Sequence, residues 1–235
     1  MHLFYYPLID QNFFTLDRSE SAHCVRVLRL GKDDIIYLTD GKGKLCKAKI
    51  INPDKKACVT EITETTIIPP ERDFSLEIAI SPTKNIERFE WFLEKATEIG
   101  VDRIIPLLCN NSERRIIKSE RLKKVMISAM KQSLKAWLPE LTSFSGFEEL
   151  LERPFNGNRF IATGDAHPRD QHLGRMYKKG SGVLILIGPE GDFQEEEMLM
   201  AAKHSCSPVS LGAGRLRTET AGLVACHTVN LLNSL

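Results

Sequence analysis

The chain has 235 residues, of which 42% are hydrophobic and 27% are charged. This composition is typical of a globular protein with one large or two small domains, and it excludes a disordered or fibrous chain. The formal net charge of +1 gives no overall sign of a nucleic-acid partner. The N-terminus lacks the pattern of a signal peptide, and no apolar stretch approaches the ~20 residues of a membrane span. We therefore expect a cytoplasmic protein without a membrane partner.

Residues 1–70 are expected to form a small β-rich domain. The segment 19–30 has the apolar spacing of a helix with Ser19 as its cap, and residues 3–6, 35–39, 45–51 and 57–63 have the composition of strands. The sequence Asp40-Gly41-Lys42-Gly43 is typical of a hairpin turn. Short strands joined by tight turns indicate a small barrel. Pro69 and Pro70 mark the expected linker to a second domain.

From residue 71 onward, strand patterns alternate with helix patterns. Strands are predicted at 76–80, 103–108, 141–144, 159–163, 183–187 and 208–211. Helices are predicted at 85–99, 113–134, 195–203 and 218–232. Because this alternation is typical of a parallel sheet covered by helices on both faces, the sequence predicts an α/β fold for residues 71–235.

Two loops near the C-terminal end share one design. The apolar run 183–187 leads into Gly188-Pro189-Glu190-Gly191, and the run 208–211 leads into Gly212-Ala213-Gly214. A third strand is followed by Thr163-Gly164. Open α/β sheets bind ligands at such strand ends, where backbone N–H groups of the glycine turns and helix starts converge.

The residues around these loops restrict the kind of ligand. Arg217 stands where a dinucleotide fingerprint needs its third glycine, and no acidic residue follows at the required spacing, so a dinucleotide site is rejected. Asp192 and residues 195–197 place four acids beside Gly191, which disfavours a phosphate and favours a neutral or positively charged ligand. Thr218 is expected to cap the last helix, and Arg217 to project into the site.

Three further patterns have more than one possible interpretation. Asp165, His167, Asp170 and His172 have metal-ligand character, but Pro168 between them favours a solvated loop, and no metal is predicted. The six cysteines form no CxxC pair and are interpreted as buried apolar residues. Residues 111–135 contain eight Lys or Arg against two Glu, a local net charge of +6. This segment is either a solvated helix face or a surface for nucleic-acid phosphates.

The motifs IGPEGDF and LGAGRLRTETA, separated by about 20 residues, carry a family resemblance. His23 with residues 27–29, the 40–43 turn, residues 94–101 and Gln132-Ser133 add to it. Over nearly its whole length, the sequence resembles the ribosomal small-subunit RNA uridine-N3 methyltransferase family (RsmE). This chain has Asp192 where that family usually has a second glycine, and Gln194 where it usually has a serine.

The resemblance implies a SPOUT-type methyltransferase domain at 71–235, with a parallel sheet and a C-terminal trefoil knot, preceded by a PUA-like β-barrel, RNA-binding domain at 1–70. It also implies a homodimer that packs through the knotted domain and acts on 16S ribosomal RNA within the small ribosomal subunit. The implied methyl donor is S-adenosyl-L-methionine. The residues that would hold it are Thr163, Gly164, Ile187, Gly188, Pro189, Gly191, Leu211, Gly212, Leu216, Arg217 and Thr218.

The expected reaction is methylation of uridine N3, which carries a proton at neutral pH and therefore needs a proton acceptor. We expect Arg217 to stabilise negative charge on the uracil oxygens, and Glu219 or Glu190 to accept the proton. Glu190 could instead hold loop N–H groups. Two alternatives are a SPOUT methyltransferase acting on another RNA, and a non-catalytic RNA-binding protein of ribosome assembly. The residues expected to contact RNA are His23, Arg26, Arg29, Lys84, Arg114, Arg115 and Gln132.

Overall fold

The structure, a computed structural model, describes residues 1–164 and 171–235. Contacts within the chain divide these residues into two compact units. The first unit comprises Met1–Glu71 together with Met130–Leu138, and the second comprises Arg72–Ala129 with Pro139–Leu235.

The first unit is built on a five-stranded sheet with the strand order β1-β3-β4-β5-β2. β1 is parallel to β3, whereas every other neighbouring pair is antiparallel. Phe4, Ile36, Leu38 and Ile50 point into a core that the sheet shares with the helical segment beside it. The prediction of a β-rich first domain is confirmed. The strands are β1 (Leu3–Tyr5), β2 (Phe13–Thr15), β3 (Ile35–Thr39), β4 (Lys44–Asn52) and β5 (Val59–Ile67).

The helical segment of this unit differs from the predicted helix at 19–30. Helix α1 spans only Arg18–Ala22, and Asp17 caps it by accepting a hydrogen bond from the Glu20 backbone N–H at 2.9 Å. Ser19 is therefore not the cap, because the helix begins at Arg18 and Asp17 occupies the capping position. A π-helical turn follows at His23–Val27. Such turns are rare and occur often at functional sites.

The predicted hairpin turn at 40–43 is confirmed. The Asp40 carboxylate accepts hydrogen bonds from the N–H groups of Lys42 and Lys44, at 2.7 and 3.0 Å. Gly43 has φ = 96°, and a Cβ atom there would lie 2.7 Å from the Ile68 carbonyl oxygen and from the Trp137 ring. Only glycine fits this position, so the hairpin can pack closely against Trp137 in the segment Met130–Leu138 of the same unit.

The second unit contains a parallel sheet with the order β12-β10-β11-β6-β7-β8, and a short strand β9 that also pairs with β7. Every pair in it is parallel, which confirms the α/β prediction. The strands are β6 (Leu76–Ile80), β7 (Arg103–Leu108), β8 (Glu140–Leu141), β9 (Ser145–Gly146), β10 (Asn158–Ala162), β11 (Val183–Ile187) and β12 (Cys206–Val209).

The helices of the chain after residue 71 connect these strands. Asn85, predicted as the first residue of α2, is instead its cap, and the helix ends before Gly100, which has φ = 114°. The predicted basic helix 113–134 is shorter, because α3 begins only at Ser119. The predicted strand 141–144 is instead split into β8 and β9. The helices are α2 (Ile86–Ile99), α3 (Ser119–Gln132), α4 (Phe147–Glu152), α5 (Leu173–Met176), α6 (Glu195–Lys203) and α7 (Thr218–Ser234).

Helix α7 packs unusually closely on the sheet and on α2. A Cβ atom at Gly222 would lie 2.8 Å from both the Ile80 side chain and the Phe92 ring. The buried strands β6 and β11 lie beneath this contact, and all their residues are buried. The start of α7 is thereby fixed next to the end of β11.

The six cysteines are all free and buried, as expected. Burial raises the pKa of the Cys206 thiol to about 12, so this thiol stays protonated. Among the helices of residues 1–164 and 171–235, none is long and apolar enough to cross a membrane.

Candidate functional site

Three loops leave the sheet of the second unit at one edge. β10 lies between β11 and β12, and Ala162 at its end pairs with Ile187 on one side and Val209 on the other. Because all three strands are parallel, the loops that follow them start side by side. The Thr163 N–H donates to the Val209 carbonyl oxygen at 3.2 Å, which joins two of these strand ends directly. The three predicted cofactor segments are thus brought together.

The loop at 188–194 is held from outside by the loop that follows β7. The Asn111 amide donates to the carbonyl oxygens of Gly191 and Asp192, at 3.1 Å each. A Cβ atom at Gly191 would approach Asn111 to 3.3 Å, and one at Gly188 would approach the Phe193 ring to 3.1 Å. Sequence reasoning missed Asn111, since only the strand order brings it to this loop.

The four acids beside Gly191 do not act as one group. The Glu197 carboxylate is buried and accepts the N–H groups of Asn110 and Gln194, each at 2.9 Å, so it caps its own helix and ties down the neighbouring loop. Glu195 and Glu196 are exposed on the helix surface. Of these four acids, only Asp192 lies within the loop 188–194, which also contains the acid Glu190. Fewer acids can therefore face a ligand than the four that the sequence predicted.

The third loop, residues 210–217, is open and exposed. Nothing lies within 4 Å of a Cβ atom built at Gly212 or Gly214, so this side of the site has free space. Leu211 is half-buried, whereas Leu216 and Arg217 are exposed. The Arg217 side chain makes no hydrogen bond or ion pair with residues 1–164 or 171–235, so it is available to a ligand.

Thr218 links the third loop to the second. Its side chain is buried, and its hydroxyl donates to the Gly188 carbonyl oxygen at 3.1 Å. The prediction that Thr218 caps α7 is wrong, because the capping position is Arg217 and Thr218 is already the first helical residue. The hydroxyl is directed to another loop instead of to its own helix.

The two candidate proton acceptors lie in different surroundings. Glu190 is exposed, and its carboxylate accepts the Lys84 backbone N–H at 3.0 Å. Glu219 is only 7% exposed, and one of its oxygens lies 3.9 Å from the Arg88 guanidinium on α2. The other Glu219 oxygen is buried without a hydrogen-bond partner among the described residues. Glu190 thus makes a contact of the loop-holding kind, and the role of each as proton acceptor stays a prediction.

The residues expected to contact RNA in the first unit share one surface. His23, Arg26 and Arg29 are exposed on and after the π-helical turn, and Arg29 has φ = 58°. His23 packs against the Phe4 ring at 6.4 Å between ring centroids, and the Lys131 ammonium lies over that same ring. Gln132, next to Lys131, is exposed as well. These residues could therefore contact one stretch of RNA together.

In the second unit, the basic candidates differ in how much they are engaged. Arg114 uses its guanidinium to donate to the carbonyl oxygens of Thr83 and Lys84, at 3.0 and 2.5 Å. The Lys84 ammonium forms an ion pair with Glu113 at 2.8 Å. Arg115 is exposed and has no ion pair among residues 1–164 and 171–235. Arg114 therefore holds a loop, whereas the Arg115 side chain is exposed, and phosphate binding by either residue stays a prediction.

The predicted absence of a metal rests on residues of which only some are described. Asp165, His167 and Asp170 lie outside the described residues. His172 accepts the Gly174 N–H at 3.1 Å and so caps α5. The described part of the chain holds no cluster of three or more His, Cys, Asp or Glu side chains arranged for a metal ion.

We expect Thr218→Val to destabilise the second unit. The change keeps the shape but leaves the buried Gly188 carbonyl without its donor, which costs about 1–3 kcal/mol. Denaturant unfolding measures this loss as a lower midpoint. Thr218→Ser keeps the hydroxyl and should lose much less. A Thr218→Val protein as stable as the unchanged one would show that the Thr218 hydroxyl does not stabilise the loop.

The fold and the loops define a two-unit α/β protein with a ligand site at the ends of parallel strands. The chain belongs to the RNA methyltransferase family: residues 70–230 match the RNA methyltransferase domain, and residues 16–63 match the RNA methyltransferase PUA domain. The family resemblance found in the sequence is thereby confirmed.

Solved structures and curated relatives agree with this membership. A crystal structure of a probable rRNA-methyltransferase from Porphyromonas gingivalis has 42% identity and a TM-score of 0.92, and the match covers 100% of this chain and 99% of that one. Ribosomal RNA small subunit methyltransferase E from Neisseria gonorrhoeae, solved bound to S-adenosyl methionine, has 29% identity and a TM-score of 0.84 over 99% and 98% of the two chains. The Bacillus subtilis protein of that name is 27% identical over 94% of this chain and 91% of its own length.

Proposed function

We propose that this chain transfers a methyl group from S-adenosyl-L-methionine to N3 of a specific uridine in 16S ribosomal RNA. The observation that carries the proposal is the meeting of three glycine-containing loops at the ends of β10, β11 and β12, with the unpaired Arg217 beside them. The relative of matching fold from Neisseria gonorrhoeae binds S-adenosyl methionine. The names of the relatives supply the ribosomal substrate.

The residues at the three loops fit such a cofactor. The open space beside Gly212 and Gly214 leaves room for a ligand, and the tight turns at Gly188 and Gly191 bring backbone close to it. The carboxylates of Glu190 and Asp192 suit a cationic group and would repel a phosphate. The cofactor would be held by the backbone and side chains of residues 163–164, 187–191, 211–212 and 216–218. When bound, it supplies a methyl group attached to a positively charged sulfur.

The side chains of the chain then have to prepare the uridine. Its N3 must lose a proton before or during attack, and the resulting negative charge spreads to the two carbonyl oxygens. Arg217, exposed and unpaired at the start of α7, places a permanent positive charge there. Glu219 has a buried oxygen without a partner and could accept the proton, whereas Glu190 already accepts the Lys84 N–H. Holding N3 in line with the methyl group would supply much of the rate.

Residues 1–70 would act as the PUA-like RNA-binding domain, and residues 71–235 as the SPOUT domain with its trefoil knot. The exposed cluster of His23, Arg26 and Arg29 would contact the RNA backbone, as would Lys84, Arg115 and Gln132. Single-stranded uridines are recognised by shape and by local contacts, which agrees with a net charge of only +1. The enzyme would act in the cytoplasm, on the RNA within the small ribosomal subunit.

Calorimetry and methyl transfer test the proposed function. The purified chain should bind S-adenosyl-L-methionine, and it should methylate small-subunit particles or their RNA at one uridine, as located by mass mapping. Loss of that single methyluridine in cells without the gene would support the substrate. Methylation of transfer RNA instead would favour the alternative of another RNA substrate. An absence of cofactor binding would favour the non-catalytic assembly protein.

We also propose that the chain acts as a homodimer through its second unit. Large apolar side chains lie exposed on its helices, among them Trp91 on α2 and Leu231 on α7, with 41% and 44% of their surface accessible. Exposed apolar side chains of this kind are often covered by a partner. Sedimentation of the full chain should give twice the monomer mass. Trp91→Glu should shift it toward the monomer, and a monomeric unchanged protein would contradict the proposal.

A further inference from the structure

We propose that Asp192 is a positioning residue that ties the loop after β10 to the loop after β11 and thereby slows release of the methyl donor. The ligand's identity rests on the function proposed above, whereas the link between the loops does not.

The side chain of Asp192 reaches across to the neighbouring loop. One carboxylate oxygen accepts the Gly164 N–H at 3.3 Å, and the other accepts the Phe193 N–H at 2.8 Å. A Cβ atom at Gly164 would lie 3.2 Å from the same Asp192 oxygen, so the two loops are in close contact. β10 and β11 pair up to Ala162 and Ile187, and the Asp192 link continues their connection beyond the sheet.

The backbone at Asp192 explains why the side chain can reach this far. Its φ is 60°, in the left-handed region, which glycine adopts freely and which Asn and Asp tolerate better than other residues. Its N–H donates to the Pro189 carbonyl at 3.0 Å, and its own carbonyl accepts the Asn111 amide at 3.1 Å. The turn is therefore anchored on both sides, and the carboxylate is held in a fixed direction.

This link bears on the ligand because Thr163-Gly164 and residues 188–191 both belong to the candidate cofactor site. A loop that keeps its position keeps its contacts with the ligand, so a link between two of the three loops slows the ligand's release. Thr218 joins the third loop to the second through Gly188, and Asp192 joins the first loop to the second. With glycine at position 192, the first loop would lose its side-chain connection to the second.

The test compares two substitutions at position 192 with one control substitution on α6. Asp192→Gly keeps the turn and removes the acceptor. Asp192→Asn keeps both the turn and an acceptor oxygen but removes the charge. Glu196→Gln, on the exposed surface of α6, controls for the loss of one negative charge nearby.

We expect Asp192→Gly to speed hydrogen exchange of the Gly164 amide about tenfold in the cofactor-free protein, and to weaken S-adenosyl-L-methionine binding by a similar factor. The KM for the cofactor should rise while kcat changes little. Asp192→Asn should recover only part of each value, because its one acceptor oxygen cannot replace both carboxylate oxygens, which accept the Gly164 and Phe193 N–H groups. Glu196→Gln should change neither.

Two results would overturn the proposal. In one, Asp192→Gly leaves both the Gly164 exchange rate and the cofactor affinity unchanged. In the other, Asp192→Gly weakens cofactor binding but leaves the Gly164 exchange rate unchanged, which would mean that the charge of Asp192 and not the link is what matters. If the unchanged protein fails to bind S-adenosyl-L-methionine at all, the proposed function fails, but the exchange of the Gly164 amide still decides whether Asp192 holds that loop.

Discussion

Methyl transfer by an Arg217→Ala variant is expected to fall by about 100- to 1000-fold, the usual effect of removing one group that stabilises developing negative charge. Arg217 is exposed at the start of α7, and its side chain makes no hydrogen bond or ion pair with the described residues. Its removal should therefore not weaken the fold, and stability should change little. The loss should appear in kcat, since the charge is needed mainly in the transition state.

Single-turnover methylation of small-subunit RNA, together with cofactor calorimetry and thermal unfolding, measures these effects separately. Arg215→Ala is the matched control, because Arg215 is an equally exposed arginine of the same loop. Arg217→Lys should keep part of the rate, as it retains the charge without the forked geometry. Near-normal turnover of a folded Arg217→Ala protein would contradict the role of Arg217.

A Phe92→Ala substitution is expected to lower the free energy of unfolding of the second unit by about 3–5 kcal/mol, because it empties a fully buried ring position. Gly222→Val also destabilises the unit, but by overfilling the same contact instead of emptying it. It inserts side-chain atoms where a Cβ would already lie 2.8 Å from the Phe92 ring, and should cost about 1–3 kcal/mol. Combined, the two changes should cost less than their sum, since the valine fills part of the space that the ring leaves.

Denaturant unfolding of the two single variants and the double variant gives this coupling as a cycle. We expect it to be about 1 kcal/mol or more in favour of the double variant. His227→Ala, at an exposed position of the same helix, serves as a control that shortens a side chain without opening a cavity. Simple additivity of Phe92→Ala and Gly222→Val would mean that α7 does not pack on α2 as closely as described.

Much of the second unit could be predicted because its signals are local. A buried parallel strand is a short apolar run, a helix shows its own spacing, and a glycine turn shows where a strand ends. The strands 76–80, 103–108 and 183–187 and the helix 195–203 were predicted within a residue or two of the observed bounds. The three loops of the site followed from the same local signals.

What the sequence did not predict depends on residues far apart in the chain. Thr218 was expected to bond its own helix, yet it bonds Gly188, 30 positions earlier. Asn111 holds the Gly191 loop from 80 positions away. The cap of α1 was also predicted wrongly, although this signal is local. Asp17 caps the helix, two residues before the expected Ser19. The helix at 113–134 was predicted too long because its basic residues favour a helix, whereas Arg114 is occupied with the Thr83 and Lys84 carbonyls.

The central pairing of β6 with β11 also bears on how the protein folds. Leu76 pairs with Val183, far along the chain, so β6 has to wait for β11 before one of its edges is covered. Sheets built from such distant pairs form slowly, because the entropy of closing a long loop is lost before the contacts between the strands can stabilise the sheet. Until then, β6 is a strand that is apolar apart from Glu77 and has an open edge, which is the kind of segment that pairs with other chains. Fragments that end before Val183 are therefore the forms of this protein most prone to aggregate.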